Sequence, residues 1–133
     1  MRALVTGCTG FVGSHLCDFL IANTDWQIYG LKRWRSPLAN IAAHLASDRL
    51  RLIDGDLRDD NSLRRLIQES RPDFVFHLAA QSYPHTSFCA PRDTYETNII
   101  GTSNLLEAIY RGAPDARVHV CASSEVFGRV NEA

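Results

Sequence analysis

The sequence predicts an α/β fold, namely a Rossmann-like, doubly wound parallel sheet of five strands. Short apolar runs alternate along the chain with segments of helical spacing. The first run ends in a glycine-rich turn that opens a helix. The run at 74–76 is apolar without alternation, as in a strand that is covered on both faces. We therefore expect one domain over residues 1–133, with strand order 3-2-1-4-5.

The elements follow from hydrophobic spacing and turn residues. Strands are predicted where short apolar runs stop at turns, over 3–5, 26–31, 50–53, 73–78 and 117–121. Helical spacing predicts helices over 11–22, 38–45, 60–70 and 93–111. Asp60 or Asn61 is the expected cap of the third of these helices, and 81–92 is expected to be a polar loop. The apolar face of the first helix is predicted to comprise Phe11, Val12, Leu16, Phe19 and Leu20.

Bulk properties exclude several classes of protein. The net charge of −1 over 133 residues provides no general attraction to nucleic acid or to an anionic membrane. No signal peptide opens the chain, and no apolar run approaches the roughly 20 residues that span a bilayer. The four cysteines form no C-x-x-C pair, so we interpret them as buried, reduced thiols in a cytoplasmic protein. The five histidines lack metal-ligand spacing, and no metal site is predicted.

The glycine turn after the first strand predicts a dinucleotide site. Gly7 permits a tight turn, Gly10 leaves room for a pyrophosphate, and Gly13 allows close packing of the helix on the sheet. Amide groups at the helix start then face the phosphates, where the helix dipole favours negative charge. The predicted cofactor-binding residues of this turn are Gly7, Thr9, Gly10, Phe11, Val12 and Gly13.

Basic residues after the second strand favour NADP over the alternative, NAD. An acid at this position would select NAD, whereas here the chain has Lys32, Arg33 and Arg35. A guanidinium can bind a 2′-phosphate in bidentate fashion, although these residues can also be solvated loop charges. After the third strand, Asp56 and Leu57 are predicted to lie near the adenine. Capping of the next turn is an equal alternative for Asp56.

Five motifs follow one another over nearly the whole chain. They are Thr6-Gly7-x-x-Gly10-x-x-Gly13, Gly55-Asp56-Leu57, His77-Leu78-Ala79-Ala80-Gln81-Ser82, Asn98-x-x-Gly101-Thr102 and Ser123-Ser124-Glu125-Val126-Phe127-Gly128. With these motifs the chain resembles the extended short-chain dehydrogenase/reductases. Segments 30–33 and 79–82 are most similar to those of the GDP-mannose 4,6-dehydratases and their close relatives.

The resemblance implies a 4,6-dehydratase acting on a nucleotide sugar such as GDP-mannose, and the basic residues after the second strand make NADP its expected cofactor. In that family the cofactor takes a hydride from C4, and a carboxylate removes the acidified C5 proton as water leaves from C6. Ser123 matches the residue that hydrogen-bonds the sugar 4-oxygen, and Glu125 matches the carboxylate. Leu78, Ala79 and Ala80 are assigned to the cofactor side. Ser82 and Ser87 are assigned to the substrate or nicotinamide ribose, with surface hydrogen bonding as the alternative.

Two alternatives stay open. One is a sugar-nucleotide epimerase or reductase of the same superfamily, and the other is a non-catalytic dinucleotide-binding module. The family pairs a catalytic Tyr with a Lys four residues later, but Lys32 is the single lysine and no Tyr precedes it by four. We therefore expect the 133 residues to stop before the catalytic pair and substrate domain, as a fragment or a natural truncation. The sequence leaves open whether the chain forms a homo-oligomer.

Overall fold

The structure, a computed structural model, describes residues 1–128, apart from the side chains of Ser124 and Glu125. Its parallel sheet has the order β3-β2-β1-β4-β5, which confirms the predicted fold class and strand order. The strands are β1 Arg2–Thr6, β2 Gln27–Lys32, β3 Leu50–Asp54, β4 Phe74–His77 and β5 Arg117–Val120. The α-helices are α1 Phe11–Asn23, α2 Asp60–Ser70, α3 Pro84–Cys89, α4 Pro91–Tyr95 and α5 Gly101–Gly112.

Shorter helical segments complete the chain. A 3₁₀ helix spans Ala39–His44, a π-helix Glu96–Ile100 joins α4 to α5, and a 3₁₀ turn spans Ser124–Phe127. No helix within residues 1–128 is long and apolar enough to cross a membrane.

Two apolar clusters cover the two faces of the sheet. Leu4 of β1 packs in one cluster with α2 and α5 residues such as Leu66 and Leu105. Its neighbours Ala3 and Val5 pack in the other, with Cys17 and other α1 residues. Because successive strand side chains point to opposite faces, this alternation shows that β1 is buried on both sides, as a doubly wound sheet requires.

The predicted apolar face of α1 is wrong in part. Phe11, Val12 and Phe19 are exposed, at 75%, 60% and 59%. Small residues form most of the stripe that faces the sheet, and the buried positions of α1 are Gly13, Ser14, Cys17 and Leu20. Spacing of the largest apolar side chains therefore misled the prediction, because the helix meets the sheet mainly through small residues.

Two local predictions around the later helices are corrected. Asp59 caps α2, because its carboxylate accepts from the backbone N–H groups of Asn61 and Ser62, as an N-cap side chain does. The expected loop 81–92 contains α3 and the start of α4, which begin at Pro84 and Pro91. Proline is tolerated at a first helical position because that N–H has no intrahelical partner.

The cysteines divide into two kinds. Cys8 and Cys17 are buried, and burial raises their pKa values to about 11 and about 12, so both thiols stay protonated. Cys89 and Cys121 are exposed, which corrects the prediction for these two. Cys121 follows β5, whose four residues are all exposed in the described part of the chain, so the apolar run there does not lead to burial.

Candidate functional site

A cleft of about 390 Å³ opens at the carboxyl ends of the strands, where α/β sheets bind ligands. It gathers most of the predicted site residues, namely Gly7, Thr9, Gly10, Phe11, Val12, Gly13, Arg33, Asp56, Leu57, Leu78, Ala79, Ala80 and Ser82. A wider depression of about 810 Å³ lies at the opposite edge, beside Met1 and Phe74. We place the functional site in the first cleft, because the amino ends of parallel strands do not form the ligand crevice of such folds.

The glycine turn is closed by direct contacts that exclude side chains. Gly7 has a φ of +73°, and a Cβ there would lie 2.9 Å from the Ala79 nitrogen. A Cβ at Gly13 would lie 2.2 Å from the Gly7 carbonyl oxygen. Gly13 therefore packs against the turn itself, which refines the expectation that it packs on the sheet. A Cβ at Gly10 would meet only that same oxygen, at 3.2 Å.

The start of α1 points its amide groups at the cleft without a protein cap. Gly10 is the N-cap in extended conformation, and no side-chain cap hydrogen bond is present among the described residues. The first N–H groups of a helix have no intrahelical acceptor. Together with the helix dipole, these amides form an anion-binding surface.

Thr6 organises the carboxyl ends of β1 and β4. Its buried hydroxyl accepts from the N–H groups of Leu78 and Ala79, both at 3.2 Å. The same oxygen lies 2.8 Å from His77 Nδ1. Leu78 and Ala79 are thereby fixed along the wall of the cleft that faces the glycine turn.

The motif Asn98-x-x-Gly101-Thr102 fastens three segments to one helix. Asn98 exchanges two hydrogen bonds with the backbone of Gln81, at 2.8 and 2.9 Å, so it holds the loop after β4. Thr102 lies 2.9 Å from His77 Nε2. At Gly101 a Cβ would lie 2.7 Å from the Leu57 Cβ, so this glycine lets the helix approach the loop after β3.

The three predicted phosphate-binding cations have different surroundings. Arg33 lines the cleft together with Ser36. Lys32 forms an ion pair with Asp54, and Arg35 stacks on the Trp34 ring at 4.7 Å. Neither Lys32 nor Arg35 is among the residues that line the cleft.

The position of Asp56 is compatible with both of its predicted roles, which are to bind the adenine and to cap the next turn. Its carboxylate accepts from the Arg58 N–H at 2.9 Å, which closes a local turn, and it also lines the cleft. Burial alone would raise the pKa of Asp56, but hydrogen bonds and charge from Arg58, with a further contribution from Arg33, lower it overall. The group is therefore a carboxylate at neutral pH.

Arg58 is a cleft residue that sequence reasoning missed. Its guanidinium contacts Asp56 and also lies 3.1 Å from the Asp93 carboxylate of α4. Hydrogen bonding to Asp56 raises the pKa of Arg58. The available signal was a basic residue directly after the Asp56-Leu57 pair, but the partner on α4 lies 35 positions away.

The two serines predicted to bind substrate after β4 lie in different surroundings. Ser82 lines the cleft, whereas the Ser87 hydroxyl donates to the Pro84 carbonyl at 2.6 Å within α3. Ser87 is not among the cleft residues, which favours the surface alternative for it.

The predicted catalytic residues follow β5 at the same edge of the sheet as the glycine turn. The Ser123 carbonyl accepts from the Val126 N–H at 3.2 Å, and Glu125 lies in the 3₁₀ turn Ser124–Phe127. The Glu125 side chain lies outside the described part of the structure. Among the residues that are described, no group of three or more His, Cys, Asp or Glu is arranged to hold a metal ion.

The fold and glycine turn define a Rossmann-type domain, and comparison with known proteins identifies its family. A family model described as GDP-mannose 4,6 dehydratase matches residues 4–133. The chain belongs to this family. A GDP-mannose 4,6-dehydratase of Vibrio cholerae is 39% identical over 98% of this chain, and one of Caenorhabditis elegans is 34% identical over 98%. The chain spans 37% of the length of each of these relatives.

Solved structures of related enzymes share the fold. A dTDP-glucose 4,6-dehydratase mutant from Streptomyces venezuelae, solved with NAD, superposes with a TM-score of 0.89 at 32% identity, covering 100% of this chain and 42% of that one. A UDP-glucose 4-epimerase from Thermus thermophilus, also solved with NAD, superposes with a TM-score of 0.74 at 34% identity. It covers 84% of this chain and 34% of the epimerase.

Proposed function

We propose that this chain is the cofactor-binding part of an NADP-dependent nucleotide-sugar 4,6-dehydratase that acts on GDP-mannose. The observation that carries the proposal is the uncapped start of α1 behind Gly7, whose φ is +73°. This feature opens on the cleft at the carboxyl edge of the sheet. Family membership and the names of the relatives support the dehydratase assignment.

The cleft fits a dinucleotide. The backbone of Gly7 and Ala79 is so close that a Cβ would fill the space between them, so the turn approaches the phosphates as bare backbone. Amides at the start of α1 would bind the pyrophosphate. Asp56 and Leu57 would bind the adenine, and Leu78 to Ala80 would form the wall toward the nicotinamide.

The preference for NADP rests on Arg33. It lines the cleft beyond β2, where an acid would instead accept the ribose 2′-hydroxyl of NAD. A guanidinium there supplies a bidentate partner for a 2′-phosphate. The related structures solved with NAD make NAD the competing cofactor.

The reaction follows from what the bound groups would do. When bound, the nicotinamide would supply reversible hydride transfer, from C4 of the sugar to the cofactor and back to C6 once water has left, and the 4-keto group so formed would acidify the C5 proton. Ser123 would donate a hydrogen bond to the 4-oxygen. Glu125 would remove the C5 proton as a general base while water leaves from C6. Both residues follow β5, which pairs with β4 beside the cleft.

The second candidate is a nucleotide-sugar epimerase, favoured by structural similarity to UDP-glucose 4-epimerases. A non-catalytic dinucleotide-binding module is the third. Calorimetric titration with NADP and NAD tests the binding function. If neither cofactor binds, the proposed binding function is wrong. A chain that also carries the Tyr-x-x-x-Lys pair and the substrate domain, incubated with GDP-mannose and NADP, separates the rest when the sugar is analysed both by mass and by chromatography against hexose standards. Loss of one water supports the dehydratase, a chromatographically distinct isomer of unchanged mass supports the epimerase, and unchanged GDP-mannose supports the module.

A further inference from the structure

The charged side chains that line the cleft balance one another. The charged side chains among its described lining residues are two guanidiniums and two carboxylates, Arg33, Arg58, Asp56 and Asp93. Arg58 contacts both carboxylates. Its Nε and Nη2 lie 3.2 Å from the two Asp56 oxygens, and its Nη1 lies 3.1 Å from Asp93 Oδ1.

Arg33 has different surroundings from Arg58. Among the described residues, no ion pair or side-chain hydrogen bond involves the Arg33 guanidinium. Arg33 and Asp56 nevertheless line the same cleft, and the positive charge of Arg33 adds to the larger effect of Arg58 in lowering the pKa of Asp56. Arg58 makes the contacts with this carboxylate, and Arg33 makes none.

We infer that Arg58 is a specificity-determining positioning residue, which neutralises Asp56 and Asp93 and so leaves Arg33 available to the 2′-phosphate of NADP. The inference rests on the proposed dinucleotide function. Arg58 acts here through the carboxylates and makes no contact of its own with the phosphate.

The physical consequence of removing Arg58 is selective. An unpaired Asp56 would attract the Arg33 guanidinium and repel a phosphate dianion at the rim. NAD carries no 2′-phosphate, so it would lose only the binding free energy that depends on the orientation of Asp56. NADP would lose the same free energy and, in addition, would be weakened by repulsion between its 2′-phosphate and Asp56. The ratio of the two affinities therefore isolates the electrostatic role of Arg58.

The test is a set of calorimetric titrations of the protein with NADP and NAD at low ionic strength. Arg58→Ala is expected to lower the NADP-to-NAD affinity ratio roughly tenfold, the order of one unit charge acting across several ångströms near a surface. Asp56→Asn added to Arg58→Ala should restore most of the ratio, because the exposed charge is then removed. Arg58→Lys should keep the ratio near its original value.

The control is Arg64→Ala on α2, which removes an exposed arginine that pairs with Asp60 outside the cleft. It should leave the ratio unchanged. An unchanged ratio in Arg58→Ala would overturn the inference, as would a loss that persists in the double variant, which would mean that Arg58 binds the phosphate directly. If the unaltered protein binds NAD more tightly, the NADP proposal fails, while a shift of the ratio by Arg58→Ala still supports the inference.

Discussion

His77 accepts a hydrogen bond from Thr6 and donates one to Thr102, which fixes the imidazole as its neutral Nε2–H tautomer. The Thr102 hydroxyl donates to the Asn98 carbonyl at 2.7 Å, so it must accept from His77 Nε2. Thr6 Oγ1 already accepts two backbone N–H groups, so its own hydrogen is directed to Nδ1. A proton on Nδ1 would leave two donors facing each other.

This arrangement predicts a loss of stability in mild acid. Burial lowers the pKa of His77 below its usual value of 6.5. The unfolded chain therefore takes up a proton near pH 6.5, whereas the folded chain does so only at lower pH. Well above pH 6.5, His77 contributes no pH dependence to stability. As the pH falls below about 6.5, the free energy of unfolding should decrease by up to about 1.4 kcal/mol per pH unit, until the pKa of His77 in the folded chain is reached.

Denaturant unfolding between pH 5 and pH 8 measures this effect. His119→Gln changes an exposed strand histidine and should keep the acid slope, whereas His77→Gln should be less stable at pH 7 and have a shallower slope. Equal slopes in both variants would show that His77 is not the titrating group.

Gly13→Ala should destabilise the fold. The added Cβ would lie 2.2 Å from the Gly7 oxygen and 2.9 Å from the Cys8 Cα, and both neighbours are backbone. We expect a loss of about 1–3 kcal/mol or more, the range for forced repacking, measured by thermal or denaturant unfolding. Stability equal to that of the unaltered protein would contradict the described closure of the turn.

Gly10→Val should have the opposite pattern. Its Cβ would meet only the Gly7 oxygen at 3.2 Å, so the variant should stay folded by circular dichroism. The branched side chain would occupy the approach of the pyrophosphate, and binding of both NADP and NAD should be lost. A folded variant that binds either cofactor normally would remove the turn from the phosphate site.

Arg33→Ala should weaken NADP by about 1.5–3 kcal/mol, the value of a hydrogen bond to a charged group, and leave NAD unaffected. Arg35 stacks on Trp34, so Arg35→Ala should cost less than Arg33→Ala. Titration of each variant with the two cofactors gives the comparison. Equal weakening of NADP and NAD by Arg33→Ala would refute a contact with the 2′-phosphate.

The 133 residues are expected to bind cofactor without converting GDP-mannose, because they contain no Tyr-x-x-x-Lys pair. A positioned base contributes about 10²–10⁴-fold in rate, and an unassisted serine hydroxyl is a poor substitute. In a chain that also carries the Tyr-x-x-x-Lys pair and the substrate domain, Glu125→Gln should block water loss while cofactor binding stays intact. Mass analysis of the sugar tests both statements, and a 4-keto-6-deoxy product from the 133 residues would show that another base is present.

Features that depend on neighbouring residues could be predicted from the sequence, whereas features that depend on distant partners could not. The strands and the glycine turn follow from local pattern, and the strand order follows from the chirality and sequence of βαβ units. The local pattern does not predict the contacts of Asn98, Gly101 and Thr102. Their respective partners lie 17 to 44 positions away along the chain, and they are Gln81, Leu57 and His77.

The residues that were missed or misassigned are those whose partners lie far away along the chain. Arg58 acquires its role only where α4 brings Asp93 beside the loop after β3. Lys32 was counted with the phosphate-binding group, but Asp54 of the neighbouring strand pairs with it, and pairing between strands depends on register. The exposure of Phe11 and Phe19 likewise reflects which side of α1 fits closely against its neighbours.

The helix that contains Asn98, Gly101 and Thr102 is a shared support for loops that contact different parts of the cleft. The π-helical turn Glu96–Ile100 immediately precedes Gly101, and a π turn shifts the rotational phase of the residues after it relative to those before it. Deleting Ile99 or Ile100 would convert the turn toward regular α-helix and rotate Thr102 relative to Asn98 by about 100°. His77 and Gln81 could not then both keep their partners, so this short segment sets how the end of β4 and the loop after it are aligned with each other.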